Sequence, residues 1–586
     1  MNDSLSRRAF LGVTLGAAAN TLIPRDSAYA LAEIASADPA PGAKGAWPAM
    51  EAWERLRKDV GGRLISPKAP WASLEANSAI PADLKNPWFL EESAGATQST
   101  GMFGAWKSEV SPFAVAAENA QDIAKAVNFA REHRIRLVVK GTGHDYFGRS
   151  CAADSLLVWT HPMRRVEVHD AFRPQGAPEA LAPVHALSVQ AGNRWLEAYQ
   201  AATAAGRYVQ GGGCTSVGAC GGFALGGGFG SFSKRFGSGA GGVLEIEVIT
   251  ADGRVRVVNA HQEPELFWAM RGGGGGTFGV VSRMTLLTHP MPTTDGWLSG
   301  SITAKTDAAY RELLRRYIEF VPAALNHPAW GEGVLFVKGE KRMNLGTAFL
   351  DLSAADAERI WAPLLDPLRS RPSEFEVDAV FTVQPFREKW NPAGKSSVVM
   401  DDRPGAPKGY FWWAGNGEEV GAYWGAYQGR GVPLDAMRGA NAGTLADAMF
   451  EATRTSAILW QTNKALSGEH PEARARDELT ALNPVVFSNA AFVTLGDWVQ
   501  YKYVGVPGHE PDEESARDQL DGVNRAMSFV KAATPGGGSY SNEGDYFEEN
   551  WRQEFWGSNY ERLLAVKREV DPTNLFHVHH GVGSEE

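Results

Sequence analysis

The chain has 586 residues, 44% of them hydrophobic and 21% charged, which excludes a small disulfide scaffold, wholesale disorder and a collagen-like repeat. At roughly 150 residues per domain, the length predicts two to four domains. With 57 Lys plus Arg against 68 Asp plus Glu, the net charge of −11 opposes a general role on nucleic acid or anionic membrane and favours a small-molecule partner.

In chain order, Ser6-Arg7-Arg8-Ala9-Phe10-Leu11 forms a twin-arginine motif followed by an apolar stretch from Ala9 to Ile23, with a cleavage site after Ala28-Tyr29-Ala30. This pattern predicts a removable export signal over residues 1–30, with the twin-arginine machinery as a partner and a periplasmic or secreted destination. Asn20, Thr21 and Pro24 leave the apolar run too short for a stable membrane anchor. The route carries folded proteins, so its use hints at a redox cofactor loaded before export. A Pro/Ala-rich leader runs to about residue 46, and residues 31–104 read as an extension packing on the body.

Residues 113–117 read as a strand, Asn119 as a helix cap, Ile123, Ala126, Val127 and Ala130 as one helix face, and Ile135 to Lys140 as a buried strand. The unit predicts a parallel pair joined by a right-handed crossover. A second unit has Leu187 to Gly192 as strand, Asn193 as cap, Arg194 to Ala205 as helix and Gly206 as stop. Leu244, Ile246 and Val248 alternate with Glu245 and Glu247, and Asp252-Gly253 turns into Val255 and Val257, predicting a hairpin with one polar face. Beyond about residue 291 the glycine clusters stop and Trp becomes common, which places a domain boundary there. Those Trp residues could stack on ring substrates, although irregular spacing favours core packing. A last helix is expected from Asn559 to Val570, stopped at Asp571-Pro572.

Glycine is the compositional outlier, 65 of 586 or about 11% against roughly 7% in average usage. It concentrates in three loops: GTGHDYFGRS at 141–150, directly after the strand ending at Lys140; a stretch with ten glycines among residues 211–230; and RGGGGGTFGVV at 271–281. Such loops can bring backbone N–H groups against a pyrophosphate or the edge of a planar ring. None carries the Rossmann fingerprint with its acidic residue about 20 positions on, which disfavours ordinary NAD binding. His144 and Cys214 sit within two of these loops as potential nucleophiles. The three cysteines are too few for a disulfide framework, so Cys151 and Cys220 read as structural thiols, with a Cys214–Cys220 disulfide as the competing arrangement. His577, His579 and His580 lack supporting ligands nearby, so no metal site is expected.

Residues 105–290 and 539–583 resemble flavoproteins of the vanillyl-alcohol oxidase or PCMH fold, in the berberine bridge enzyme-like branch. The segments VVKGTGHDYFGRS, Trp159-Thr160-His161 and 210–230 are similar to the part of that branch containing fungal isoamyl-alcohol-oxidase-like proteins. The resemblance implies an α+β architecture: a two-subdomain PCMH-type FAD-binding domain at 105–290, an α+β substrate domain with a large antiparallel sheet at 291–538, and a return to the FAD domain at 539–586. It implies FAD bound covalently, His144 to the flavin 8α-methyl and Cys214 to C6. The family places Pro after that cysteine, where this chain has Thr215. The first loop would contribute Lys140, Gly141, Thr142, Gly143, Asp145 and Gly148 to the cofactor site. The second would add Gly213, Thr215, Val217, Gly218, Gly221, Gly222 and Gly228, and the third Gly279, Val280 and Val281.

Val217 in the family setting implies oxygen access to the flavin, and so an oxidase with O2 as acceptor. The family's Tyr-x-Asn element corresponds to Tyr540-Ser541-Asn542. Oxidising an alcohol requires a base for the hydroxyl proton; Tyr540 is the candidate, with Asn542 orienting ring or substrate, and Glu543, Tyr501 and Tyr503 as alternatives. Tyr540 as a mere turn anchor is equally compatible. Lys234 and Arg235 could approach the flavin phosphates or form a solvated pair. The expected activity is oxidation of CH–OH to carbonyl with release of hydrogen peroxide. A flavin dehydrogenase, oxidation of a carbohydrate or amine, and an inactive periplasmic ligand-binding flavoprotein stay open at this point.

Overall fold

The computed structural model describes residues 47–585, so the expected export signal and the leader lie outside the described residues. Helix Met50–Asp59 lays Trp53 against Phe113 and Phe129, with ring centroids 4.3 and 4.7 Å apart. Helix Ala120–His133 starts where the Asn119 side chain accepts the Asp122 N–H at 3.0 Å and ends on Arg134 in the left-handed conformation. The buried Asp122 carboxylate takes two hydrogen bonds from Arg63, at 3.0 and 2.7 Å, fastening the short strand Leu64–Ile65 to this unit.

Phe113–Ala116 and Arg136–Lys140 are parallel, as expected, but do not pair with each other. Ser155–Trp159 lies between them and bonds to both, giving a four-stranded sheet. The loop joining Lys140 to Ser155 therefore crosses the end of the sheet, which is where the first glycine cluster sits. A six-stranded antiparallel sheet follows, in which Val280–Pro290 pairs with Val243–Ile249 on one side and Val184–Gln190 on the other. The hairpin of Val243–Ile249 and Val255–Asn259 forms as expected, although Glu245 is buried and accepts hydrogen bonds from Gln175 N–H and Asn259. Helix Trp195–Ala204 is capped at Arg194, one residue later than expected. The Asn193 side chain reaches back to the Gln190 N–H at 2.9 Å and donates to Glu197.

The third sheet has nine strands, antiparallel except where Gly101–Met102 joins Ala422–Pro433. Helices Asp307–Phe320, Ala354–Arg369, Gly439–Ala452 and Glu513–Ala533 contribute to one apolar layer with this sheet, packing Leu313, Tyr317, Trp361, Leu445 and Val523 with Val334, Phe336 and Trp460. Strand alternation sends Leu335, Leu459 and Gln461 to the opposite face, which lines a cavity. The C-terminal helices Trp551–Trp556 and Tyr560–Val570 cross back to the glycine-rich half. There Trp556 donates to the Gly272 carbonyl at 3.0 Å and Lys567 to that of Thr277 at 2.9 Å. The Trp residues divide: Trp330, Trp361 and Trp460 are core, while Trp297, Trp424 and Trp498 line the cavity. Among the described residues, no helix is long and apolar enough to cross a membrane.

Candidate active site

The cavity, about 1250 Å³, lies between the glycine-rich half and the face of the nine-stranded sheet opposite the helices. That exceeds the roughly 300–1,000 Å³ of drug-sized pockets and suits a dinucleotide with a substrate beside it. Gly221 lines it with φ +96°, and a Cβ built at Gly221 or at Gly222 would meet nothing within 4 Å, so this stretch of backbone faces open space where a ligand can lie against it. These residues fit a bound FAD.

His144 and Cys214 come together on one hydroxyl. The His144 Nε2 lies 3.1 Å from Ser216 Oγ, and Cys214 Sγ lies 3.5 Å from the same oxygen. Burial lowers the His144 pKa to about 4, which keeps the imidazole neutral and nucleophilic at pH 7. Burial pushes the Cys214 thiol up to about 11, so it needs a base before it can attack. Cys151, Cys214 and Cys220 are all free, and the Cys214–Cys220 disulfide is not formed.

Gly141, Thr142, Gly143, Gly148, Gly213, Val217, Gly218, Gly279 and Val281 line the cavity with them. Several other residues do different work. Lys140 touches the cavity, but its ammonium donates to the carbonyls of Ser93, Ala94 and Ala96 at 2.6–2.8 Å, and burial lowers its pKa to about 7. Asp145 also lines the cavity, with its carboxylate engaged by the N–H groups of Phe147 and Arg149 and by the Arg149 guanidinium, so it holds the loop in shape. Thr215 is turned away and donates to the Phe411 carbonyl at 2.7 Å. Gly228 lies behind the wall and donates its N–H to Tyr540 Oη. Val280 packs into the core beneath helix Ala120–His133, because the strand that turns Val281 to the cavity must turn its neighbour to the other face. Lys234 is buried between Asn326 and the Ser467 carbonyl, and Arg235 pairs with Asp351 at 2.7 Å; neither reaches the cavity. Tyr503 stacks on Trp71 at 5.1 Å with Tyr501 packed nearby, away from the site.

Tyr540 and Asn542 both line the cavity. Tyr540 Oη accepts from Gly228 N–H at 3.1 Å and from Asn542 Nδ2 at 2.9 Å, but burial raises its pKa so far that its phenolate is not accessible near neutrality. Asn542 also donates to the Gly222 carbonyl at 3.1 Å, clamping the return segment to the second loop.

The sequence reading missed a pair of tyrosine–glutamate couples on the cavity wall. Tyr146 donates to Glu419 at 2.8 Å, and Tyr427 donates to Glu543 at 3.3 Å; the two phenol rings stack with centroids 4.5 Å apart and Trp424 set edge-on to both. Lys464 forms an ion pair with Glu543. Glu419 forms no ion pair among the described residues and feels Lys464 only at a distance, and burial raises its pKa to about 6. The sequence signals are that Tyr146 lies two residues after His144 and that Glu543 follows Tyr540-Ser541-Asn542 as an alternative base; the Tyr146 partner, Glu419, is 273 positions away.

The chain matches the FAD binding domain family over residues 112–259 and the berberine and berberine-like family over residues 539–583. It is 30% identical over 581 residues to the FAD-linked oxidoreductase ZEB1 of Gibberella zeae, covering 92% of this chain and 91% of that one. The crystal structure of the VAO-type flavoprotein MtVAO615 from Myceliophthora thermophila C1 superposes with a TM-score of 0.75 at 26% identity, covering 93% of this chain and 97% of the other. Glucooligosaccharide oxidase from Acremonium strictum, described with 6-S-cysteinyl, 8α-N1-histidyl FAD, shares the fold at 17% identity, with a TM-score of 0.64 over 90% of this chain and 99% of that one. With an FAD-binding half, a large antiparallel sheet closing over it and a C-terminal return, the chain belongs to the FAD-linked oxidoreductases of the vanillyl-alcohol oxidase and berberine bridge enzyme type.

Proposed function

We propose that the protein is an exported FAD-dependent oxidase that converts a CH–OH group to a carbonyl and reduces O2 to hydrogen peroxide. The observation that carries this reading is the convergence of His144 and Cys214 on Ser216 at the wall of the glycine-lined cavity. With Nε2 occupied by Ser216, Nδ1 is the His144 nitrogen left for the flavin 8α position, and we assign Cys214 to C6 from the family resemblance. The pairing named for the Acremonium strictum oxidase supports both bonds. When bound, the flavin supplies the two-electron acceptor for hydride and passes the electrons to oxygen. Export rests on the twin-arginine pattern from Ser6 to Leu11.

The hydroxyl proton of the substrate needs an acceptor as hydride leaves. Tyr540 is held neutral by burial, so its role is to tie the Gly228 loop to Asn542 at the cavity wall. Tyr146 faces the cavity with its hydroxyl on Glu419, whose pKa of about 6 leaves it ionised at pH 7. Tyr146 takes the substrate proton as it hands its own to Glu419, so the phenol stays neutral throughout. Glu543, neutralised by Lys464, keeps Tyr427 stacked on Tyr146 and fixes the angle of that hydroxyl.

Anaerobic mixing with a panel of alcohols, sugars and amines tests the reading: an alcohol should bleach the bound flavin, and air should restore it with peroxide. Acid-precipitated wild-type protein should stay yellow, His144→Ala and Cys214→Ala should each keep one linkage, and the double variant should release its chromophore. A colourless wild-type pellet would refute the covalent assignment.

A further inference from the structure

Strand Trp330–Phe336 obeys alternation except at one residue. Trp330, Val334 and Phe336 face the helical layer, and Leu335 lines the cavity. Glu332 shares the parity of the core residues, so a regular strand would drive its carboxylate into the apolar layer. Instead Glu332 adopts φ +57°, its side chain lines the cavity, and Oε1 accepts the Ser231 hydroxyl. A left-handed residue that is not glycine persists within a strand only where its surroundings enforce it, and such strain gathers at functional sites. The flanking glycines show the enforcement: a Cβ at Gly331 would lie 1.6 Å from the Ser231 carbonyl oxygen, and one at Gly333 would lie 1.7 Å from that of Trp460.

Glu332 has no cationic partner among the described residues. Two more acceptors join it. Gln461 Oε1 and Asn463 Oδ1 have no hydrogen-bond partner, although their residues are only 7% and 2% exposed and both line the same cavity. Gln461 lies opposite Gly333 in the strand pairing, and Thr462 donates both its N–H and its hydroxyl to the Glu332 carbonyl at 2.9 Å. Asn463 gives its Nδ2 to the Gly230 carbonyl at 3.1 Å, which leaves Oδ1 as the free atom. The patch abuts the flavin-attachment loop, since a Cβ on Gly213 would stand 3.7 Å from Glu332 Oε1.

The titratable groups nearby do not supply the missing charge. Tyr199 and Tyr208, which feel Glu332, are kept neutral by burial, and Lys464, on the same cavity wall, is already paired with Glu543. A half-buried carboxylate with no cation to pair it, beside two buried unfilled acceptors, calls for a ligand that brings positive charge and several donors. A primary ammonium carries three N–H donors and no acceptor, matching three acceptor groups.

We propose that Glu332, Gln461 and Asn463 form a subsite for a protonated amine, so that the substrate is an amino alcohol held by its ammonium and oxidised at its carbinol carbon. This rests on the cavity being the flavin and substrate site. The carbon beside the ammonium is not the one oxidised, because a protonated nitrogen has no lone pair to assist departure of hydride; the hydride leaves the carbinol carbon and the hydroxyl proton passes to Tyr146.

The test is an anaerobic titration of the flavin-bound protein at pH 7.5 with benzylammonium chloride, benzyl alcohol and glycerol, read by the shift in flavin absorbance. The ammonium should bind about tenfold or more tighter than the alcohol in the wild type. Glu332→Gln should erase that preference, and Gln461→Leu should reduce it, with flavin content measured for each. Equal affinities in the wild type, a preference for glycerol, or selectivity that survives in both variants overturns the proposal. A wild-type protein that holds no flavin would instead sink the underlying reading of the cavity.

Discussion

Replacing Glu419 with Gln probes the proton relay directly. The amide can still accept the Tyr146 hydrogen bond that spans 2.8 Å in the wild type, so ring packing is preserved, but it cannot receive a proton. With a pKa of about 6, Glu419 is about nine-tenths ionised at pH 7 and about one-tenth at pH 5, so flavin reduction should fall roughly tenfold across that interval. Removing the base should lower the rate at pH 7 by about 10² to 10⁴ and abolish the ascending limb. Anaerobic stopped-flow reduction between pH 5 and 8 measures both. Tyr146→Phe should lose rate similarly, because the hydroxyl that faces substrate is gone. Stability offers an independent check on the same group. Burial raises the Glu419 pKa above its unfolded value, so the folded state holds the proton more tightly. Wild-type stability should therefore decline as pH rises from about 4.5 through about 6, and Glu419→Gln should lack that component. A Gln variant that keeps both its rate and its ascending limb refutes the relay.

Val217 lines the cavity while packing on the apolar core of the glycine-rich half. Val217→Leu should leave anaerobic flavin reduction within about twofold of wild type but slow reoxidation by air about tenfold, a barrier increase near 1.4 kcal/mol, measured by double mixing. Unchanged reoxidation would remove Val217 from oxygen access. Arg194 and Glu91 are both 0% exposed and 3.2 Å apart, with Arg194 also 3.5 Å from Glu197 and over the Trp88 ring. Arg194→Ala should destabilise the fold by about 3–5 kcal/mol by stranding Glu91, whereas Arg194→Met with Glu91→Leu should recover much of that loss in thermal denaturation. Equal losses in the two would show that the pair's charge is not what matters.

The local features that sequence exposes well are those controlled by neighbouring residues. Asn119 caps its helix, Asp252-Gly253 turns its hairpin, and the three glycine loops converge on one cavity. The insertion of Ser155–Trp159 between two strands that looked adjacent was not legible, because parallel pairing is decided by a crossover whose landing place no local pattern records. Motif membership does not reveal what the polar atoms do: Lys140 and Asp145 line the cavity and Thr215 does not, yet all three use their polar atoms to hold the loops in shape. Val280 was legible from alternation alone, since a strand that turns Val281 to the cavity turns Val280 to the core.

The chemistry on the far wall was illegible for a different reason. Glu419, Lys464 and Gln461 are unremarkable in their own segments, and they gain meaning only because the nine-stranded sheet brings them over the glycine loops. Glu332 is the sharper case. Read along its strand, Trp330, Glu332, Val334 and Phe336 share one face, and an acid there looks like a defect in the core pattern. The left-handed backbone resolves the conflict by moving the carboxylate across the sheet, at the expense of two glycines that can carry no side chain. A local rule broken in the interior of a sheet, with glycines on both sides where any side chain would clash, points to a position whose role lies in what it binds rather than in what it packs against.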